Sequence, residues 1–208
     1  MYKKWMILFG IIGVILNFTG CNTTELEERC FPMMVSVGYD DGKFVYSVAF
    51  PQEDELGKKM VKSVKGSNFS ESKKAYEEKL NRDADYNHLK VLVVDEDLLE
   101  QKNIYEEMLN YLEDKEEFPR NTYVCVVDEI EELQAFGQGL TQDIGTYLEE
   151  YLKKQESQEK RLLTLGDLID EMENKTMVLY LPYLEVEENF IEWKGYVNTA
   201  GKIGKNLK

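Results

Sequence analysis

Apolar and polar residues alternate along the chain in a pattern that predicts short strands and helices. Two runs rich in Val, Tyr and Phe lie at Met33–Val37 and Phe44–Phe50, and Asp40-Asp41-Gly42 separates them. Because glycine tolerates the positive φ that a tight turn needs, this spacing predicts a β-hairpin. Residues 52–68 have little apolar content and predict a loop, and the stretch 70–81 has the spacing of an amphipathic helix.

The middle of the chain contains two short runs that are apolar almost throughout. Leu89–Val94 and Tyr123–Val127 are rich in β-branched residues, as expected of strands that are covered on both faces. A helical pattern follows each run. Asp97 is placed to cap the first helix, and the acidic residues of 128–132 lie where the dipole of the second favours negative charge. Strands that alternate with helices indicate parallel neighbours joined by right-handed crossovers.

The last third of the chain adds two amphipathic helices, from Leu140 to about Lys154 and from Leu165 to Met172, the second capped by Thr164 or Asp167. Two strands then close the sequence, at Met177–Leu181 and Phe190–Val197. The predicted fold class is therefore α/β. We expect a mixed β-sheet with β-hairpins at both ends and helices packed on the sheet.

The first twenty residues have the organisation of a secretory signal. Lys3 and Lys4 precede an uncharged, mostly apolar run of about 14 residues, which is short for a helix that must cross a membrane. Phe18-Thr19-Gly20-Cys21 resembles the bacterial lipobox, in which the cysteine thiol is the nucleophile that takes a diacylglycerol. The alternative is an uncleaved N-terminal anchor with a chance cysteine, and both interpretations place the remaining chain outside the cytoplasm.

Residues 1–20 are therefore predicted to be a lipoprotein signal peptide, and Cys21 is the predicted lipidation site. Acyl chains such as palmitate on Cys21 would hold the protein on the extracytoplasmic face of the cell membrane, since two or more chains anchor a protein firmly. Residues 21–30 are polar and are predicted to form a short tether. Residues 31–208 are predicted to form a single α/β domain.

The net charge of that domain excludes some classes of binding partner. The whole chain carries 25 basic and 40 acidic residues, and removal of the two signal lysines leaves a net charge of about −17. Such a balance repels nucleic acid and anionic lipid headgroups, so contact with lipid is expected only through Cys21.

The remaining cysteines and the one histidine offer little chemistry. Cys30 and Cys125 have no metal-ligand spacing, and a disulfide between them is an alternative to a buried free thiol at Cys125, which lies in an apolar run. His88 is the only histidine, which excludes a serine or cysteine triad and a zinc site with several histidines.

Three acidic groups are the best candidates for catalysis or cation binding: Asp95–Asp97, Asp128–Glu132 and Glu185–Glu188. Helix capping and solvation account for all three, so we predict no enzyme, metal or cofactor. Gly137-Gln138-Gly139 lacks the third glycine and the preceding strand of a dinucleotide loop. Trp193 and Tyr196 on a late strand could form a ligand platform, but packing in the core or at the sheet edge is the favoured interpretation.

Read as a series, these segments resemble the N-terminal domain of the Ger(x)C family of spore germination lipoproteins, the C subunits of nutrient germinant receptors. The matching segments, in chain order, are Cys21 with Glu25-Leu26, Val35–Asp40, Phe44–Phe50, His88–Val94, Tyr111-Leu112, Arg120-Asn121, Val124–Val127, Gly145–Leu148, Thr164–Leu168, Leu181-Pro182 and Gly195–Val197. The resemblance implies a non-catalytic lipoprotein at the spore inner membrane that acts in germination by contacting receptor subunits in the membrane.

Two other function classes stay open at the level of the sequence. A solute-binding lipoprotein would need a concave pocket between two α/β lobes, and an extracytoplasmic hydrolase would use Asp95 or Asp97.

Overall fold

The computed structural model describes residues 29–51, 63–80, 83–173, 179–187, 190–198 and 203–204. The predicted signal peptide, the lipobox and Cys21 lie outside these residues, so their assignment stays a prediction. Among the described residues, no helix is both long enough and apolar enough to cross a membrane.

The strands of the described residues are β1 (Arg29–Cys30), β2 (Met34–Asp40), β3 (Lys43–Ala49), β4 (Val64–Gly66), β5 (Asp83–Ala84), β6 (Val91–Asp95), β7 (Tyr123–Val127), β8 (Leu163–Thr164), β9 (Tyr180–Val186), β10 (Ile191–Asn198) and β11 (Ile203–Gly204). The α-helices are α1 (Phe69–Glu77), α2 (Glu96–Glu100), α3 (Lys102–Lys115), α4 (Ile130–Gly139), α5 (Ile144–Glu156) and α6 (Leu165–Glu173). A short 3₁₀ turn covers Tyr86–His88.

Nine of these strands form one mixed sheet in the order β11-β10-β9-β7-β6-β2-β3-β4, with β8 paired to β7 off this path. The strands β2, β6, β7 and β9 are parallel to their neighbours in this group. The outer strands and β8 join antiparallel. The α/β fold class with a mixed sheet is confirmed.

The parallel strands are buried on both faces. Val91, Val93, Cys125 and Val127 belong to the core beneath α4 and α5, whereas their alternate neighbours Leu92, Val94, Val124 and Val126 belong to the core beneath α1, α2, α3 and α6. All eight side chains are 0% exposed. Apolar residues at successive positions are required here, because a strand presents alternate side chains to opposite faces.

Several predicted elements match the structure closely. The strand Tyr123–Val127 has the predicted bounds, and Asp41 and Gly42 both have positive φ in the turn between β2 and β3. At the start of α6, Thr164 and Asp167 cap reciprocally: the Asp167 amide donates to Thr164 Oγ1 at 3.3 Å, and the Thr164 amide donates to Asp167 Oδ2 at 2.7 Å.

Three local predictions are wrong. Residues 64–66 lie in the predicted loop but form β4, since three residues are too few for alternation to show in the sequence. The helix predicted to extend to residue 81 ends at Glu77. The cap of α2 is Asp95 rather than Asp97, because β6 runs one residue further than predicted and Asp95 Oδ1 accepts the amide of Asp97 at 2.8 Å.

The first turn of α5 rests directly on the backbone that leads into β2. A Cβ atom added at Gly145 would lie 2.6 Å from the carbonyl carbon and oxygen of Met33, which is closer than real Cβ contacts. The Met33 carbonyl also accepts the amide of Lys90 at 2.9 Å. Only glycine therefore lets α5 sit this close to β2 and β6.

We predict that Gly145→Ala destabilises the protein by about 1–3 kcal/mol, because backbone on both sides must move to admit the methyl group. The measurement is the free energy of unfolding from urea denaturation. Gly139→Ala is the matched control, since a Cβ there meets nothing within 4 Å. Equal stability of the two variants would contradict the close packing of α5 on Met33.

Candidate functional site

The three acidic groups singled out in the sequence come together at one edge of the sheet. Asp95 ends β6, Asp128 directly follows β7, and Glu185 lies near the end of β9. These strands are parallel, so their carboxyl ends meet at the same edge. We call this edge the acidic edge and define it by Asp95, Glu96, Asp97, Asp128, Glu129, Glu131, Glu132, Glu185 and Glu187.

The carboxylates of the acidic edge are close enough to perturb one another. Partial burial and then the charges of Glu129, Asp128, Glu187 and Glu185 raise the pKa of Glu132. The Tyr183 hydroxyl donates to Glu96 Oε2 at 3.0 Å. Burial first, and that hydrogen bond second, raise the pKa of Tyr183. The edge therefore concentrates negative charge from three separate segments of the chain.

Asp95 is the most perturbed carboxyl of the acidic edge. Burial raises its pKa to about 7 against the lowering effect of the Asp97 amide, and the charges of Asp97, Glu131 and Glu96 add to the rise. A methyl group at Gly38 would lie 3.2 Å from Asp95 Cβ, so Asp95 packs against the backbone of β2. Its role in the structure is to cap α2.

A cluster of three glutamates lies next to the acidic edge, on β9 and β10 and the segment between them. The carboxylate oxygens of Glu185, Glu187 and Glu192 lie within 4.8 Å of one another. The Lys194 ammonium forms ion pairs with Glu185 and with Glu192, the latter at 2.7 Å. These hydrogen bonds raise the pKa of Lys194, first through Glu185 and then through Glu192. Because a lysine neutralises two of the three carboxylates, the group carries no metal assignment.

The other sequence candidates are accounted for by packing. Gly137-Gln138-Gly139 is the end of α4, and Gly137 packs against Ile144, so these residues do not follow a strand as a phosphate loop does. Trp193 and Tyr196 form an edge-to-face pair with ring centroids 5.2 Å apart. Lys160 Nζ lies 4.6 Å from the Trp193 ring centroid, so the aromatic pair packs against the segment between α5 and β8.

The two cysteines of the described residues are not joined by a disulfide. Cys125 is 0% exposed, and burial raises its pKa to about 12, which confirms the buried thiol predicted for β7. The Cys30 thiol donates to the carbonyl of Asp83 at 3.6 Å. The ring of the exposed His88 packs edge-to-face against Phe31, with ring centroids 5.2 Å apart.

The chain enters the domain at the end of the sheet opposite the acidic edge. Residues Arg29–Cys30, the last two of the predicted tether, form β1 and pair in parallel with β5. Arg29 also forms an ion pair with Asp85 at 3.3 Å. Since β2 starts at Met34, shortly after β1, the entering chain lies at the amino ends of the parallel strands.

A network of charged side chains around the buried Lys73 lies close to the site where the chain enters the domain. Lys73 is 5% exposed, and its ammonium contacts Glu77 at 2.7 Å and Glu117 at 2.6 Å. It also lies 5.0 Å from the ring centroid of Tyr86, whose hydroxyl donates to Glu77 Oε1 at 3.0 Å. Burial lowers the pKa of Lys73, but the hydrogen bonds to Glu117 and Glu77 outweigh it, so the net shift is upward.

Sequence reasoning missed this network. Lys73 and Glu77 have the spacing of a surface ion pair on a helix, which is common and uninformative. Glu117 and Tyr86 reach Lys73 only through the tertiary packing of α1 against α3 and the turn before β6. The one local signal is a lysine on the side of α1 that also carries the core residues Phe69 and Tyr76.

We predict that Asp95→Asn stabilises the protein at pH 8 by about 1 kcal/mol, discounted for the solvent that reaches this side chain. The folded-state pKa of Asp95 is raised above the unfolded value near 3.9, so the native state holds the extra proton between about pH 4 and pH 7. Stability contributed by this group is therefore lost as pH rises through that window. Asparagine retains the cap without the charge.

The measurement is the melting temperature of both proteins from pH 5 to pH 8. The difference should be small at pH 5 and grow toward pH 8. Asp97→Asn removes the same charge from an exposed position on the acidic edge and is the control. A pH-independent effect at Asp95, or the same profile at both positions, would contradict the prediction.

We further predict that Lys73→Met destabilises the protein by about 2 kcal/mol, because it leaves Glu77 and Glu117 facing each other without a cation. Lys74→Met is the control: its ion pair with Glu78 spans 3.8 Å between side chains that are 77% and 67% exposed, so its loss should be nearly neutral. Urea denaturation measures both. Lys73→Met at wild-type stability would show that the network does not stabilise this end of the domain.

Comparison with known proteins places the chain in a family. The family model described as the spore germination protein N-terminal domain matches residues 22–186. Among curated proteins none matches the chain significantly. Among solved structures, the crystal structure of the GerBC protein is similar with a TM-score of 0.38 and 12% sequence identity, over 79% of this chain and 47% of that chain. The chain thus spans about half the length of that protein. The match over 22–186 covers most of the chain, confirms the predicted resemblance, and shows that the chain belongs to the family of spore germination protein N-terminal domains.

Proposed function

We propose that the chain is a non-catalytic module of a spore germination protein, held on the extracytoplasmic face of the membrane by a lipid on Cys21. The observation that carries this proposal is the family match, which begins at residue 22, directly after the predicted lipidated cysteine. The signal-like residues 1–20 and the lipobox before Cys21 support the same assignment. The spore inner membrane is the expected location.

A lipid on Cys21 would limit the distance between the domain and the membrane through the length of the connecting chain. Eight residue steps separate Cys21 from Arg29, the first residue of β1, and a fully extended chain of that length spans ~28 Å. The amino ends of the parallel strands therefore stay near the bilayer, and the acidic edge lies on the far side of the domain. Membrane-embedded receptor subunits are the proposed partners, by analogy with the family.

The described residues support a binding rather than a catalytic role. Of the two residues proposed for a hydrolase, Asp95 caps α2 by accepting the amide of Asp97, and the side chain of Asp97 is exposed. At the acidic edge, Asp95 accepts the amide of Asp97, Glu96 accepts from Tyr183, and Glu185 pairs with Lys194, while Asp128 Oδ1 is buried without a hydrogen-bond partner among the described residues. The proposed activity is thus contact with partner proteins, which needs no reacting group.

We predict that Cys21→Ala abolishes lipidation. In cells grown with an alkyne-tagged fatty acid, the wild-type chain should carry the label and sediment with membranes, while Cys21→Ala should lose the label. Cys30→Ser is the matched control, because it removes the next cysteine along the chain and should keep the label. Label retained in Cys21→Ala would contradict the assignment of the lipid to Cys21.

The same two variants test the germination role when they are introduced into a deletion strain of the host. Spores that carry Cys30→Ser should germinate in response to nutrients at the wild-type rate, and spores that carry Cys21→Ala should germinate more slowly. Wild-type germination of the deletion strain itself would overturn the proposed function, whatever the outcome of the labelling.

A further inference from the structure

The chain that enters the domain first attaches to it outside the main sheet. β1 and β5 form a separate two-stranded sheet, in which Arg29 lies opposite Asp83 and Cys30 lies opposite Ala84. A sheet of two such short strands is at best marginally stable by itself. The attachment of β1 therefore depends on the contacts that surround it.

These contacts are few and lie partly in solvent. The Asp85 amide donates to the Cys30 carbonyl at 2.9 Å, and the Asp85 carboxylate pairs with Arg29 at 3.3 Å. The two charged side chains are 18% and 35% exposed, so water screens their attraction. The ring of Phe31 adds the edge-to-face contact with His88. We call this attachment of residues 29–31 to residues 83–88 the entry clip.

The side of the entry clip that receives β1 is fixed to the core. The hydroxyl of Tyr86, a residue that is 4% exposed, donates to Glu77 Oε1 and accepts from the fully buried Tyr46, both at 3.0 Å. Asp85 Oδ1 accepts the Asn87 amide at 3.1 Å and so caps the turn after β5. When the entry clip opens, β1 is therefore the part that moves.

Solvent reaches the entry clip from one side. Arg29, Asp83, Ala84 and Asp85 line an open crevice at the surface of the domain. A hydrogen bond beside water is replaced by a bond to water when it breaks, so its net loss costs little free energy. Opening the entry clip therefore requires less free energy than unfolding the domain.

The next attachment of the entering chain is much stronger. The Met33 amide donates to the Ala49 carbonyl, and the Met33 carbonyl accepts the Lys90 amide, both at 2.9 Å. Met34, the first residue of β2, is 0% exposed. Release of these bonds would open the main sheet and its core, so local opening of the entering chain stops at Met33.

We propose that the entry clip is a releasable latch that sets the length of the tether between the domain and its membrane anchor. This inference rests on the proposed lipid at Cys21. When the entry clip opens, residues 29–32 join the tether and lengthen its extended span by ~14 Å. A pull on the anchor reaches β1 before β2, because β1 comes first along the chain. Contact with a partner farther from the bilayer therefore opens the entry clip and leaves the domain folded.

Amide hydrogen exchange of the full chain, labelled with ¹⁵N and held in a nonionic detergent, tests the entry clip without requiring lipidation. The Asp85 amide reports the bond to Cys30, and the Lys90 amide reports the bond to Met33. Low concentrations of urea should leave exchange at Asp85 unchanged, which is the mark of local opening, and should accelerate exchange at Lys90. Equal dependence on urea at both amides would show that the entry clip opens only with the whole domain, and would overturn the proposal.

Arg29→Gln should accelerate exchange at Asp85 about threefold, the effect of losing one partly exposed ion pair, and should leave exchange at Lys90 unchanged. Arg120→Gln is the matched control, because it removes an arginine–aspartate pair with Asp170 outside the entry clip. Melting curves check that both variants fold. The same acceleration at Asp85 in Arg120→Gln would contradict the assigned role of the Arg29 pair.

A disulfide that locks the entry clip tests its response to force. Cys30 and Ala84 are paired across β1 and β5, so Ala84→Cys places two thiols on opposite residues. Optical tweezers stretch this variant, as the mature chain 21–208, from its two ends. The reduced form should lengthen by up to ~14 Å at a force below that of domain unfolding, and the oxidised form should not.

Two outcomes of the stretching experiment would overturn the latch: no lengthening of the reduced form before the domain unfolds, or the same lengthening in the oxidised form. Failure of the lipid anchor is a separate result, because it would appear as fatty-acid label retained in Cys21→Ala. The exchange and stretching experiments use no lipid, so they decide whether the entry clip opens in either case.

Discussion

Burial of both faces of the parallel strands is the constraint on which the rest of this structure depends. β6 and β7 alternate between two cores, and every one of their eight central valine, leucine and cysteine side chains is inaccessible. A parallel strand can satisfy this condition only when helices cover both faces of the sheet. The arrangement of α4 and α5 on one face, and of the other helices on the opposite face, follows from it.

The same constraint decides where charge is found. Charged side chains are absent from the middle of the parallel strands of the described residues; they lie at the strand ends and form two unlike charged regions. At the carboxyl ends, desolvation first and neighbouring like charges second raise the pKa of Asp95 and Glu132. At the amino ends, opposite charges pair, and Lys73 stays ionised while buried because two carboxylates contact it. Repulsion between carboxylates lowers the stability of the protein at the carboxyl ends. At the amino ends, the ion pairs of Lys73 offset the cost of its desolvation.

Features of the fold and the site that depend on residues close together in the sequence were predictable, and features that depend on distant residues were not. Tyr123–Val127 was predicted to the residue because a continuous apolar, β-branched run is a local signal, and the Thr164–Asp167 cap is a local signal too. The convergence of Asp95, Asp128 and Glu185 required the strand order, which no local pattern contains. The contact of Gly145 with Met33, the pairing of β1 with β5 and the Lys73 network join distant segments, and the residues concerned are ordinary in their local context.

The acidic edge and the entering end of the chain lie at opposite ends of the sheet, and this separation has an electrostatic consequence. The acidic edge and the site where the chain enters stand at opposite ends of β2, a strand of seven residues that spans roughly 23 Å. That length exceeds the Debye length of about 8 Å at physiological ionic strength, so an anionic surface acts on the near end and hardly on the far end. A domain tied down at its amino end would feel a torque whenever it tilted its acidic edge toward such a surface. Electrostatic repulsion would then hold the acidic edge away from the anionic surface without any specific contact.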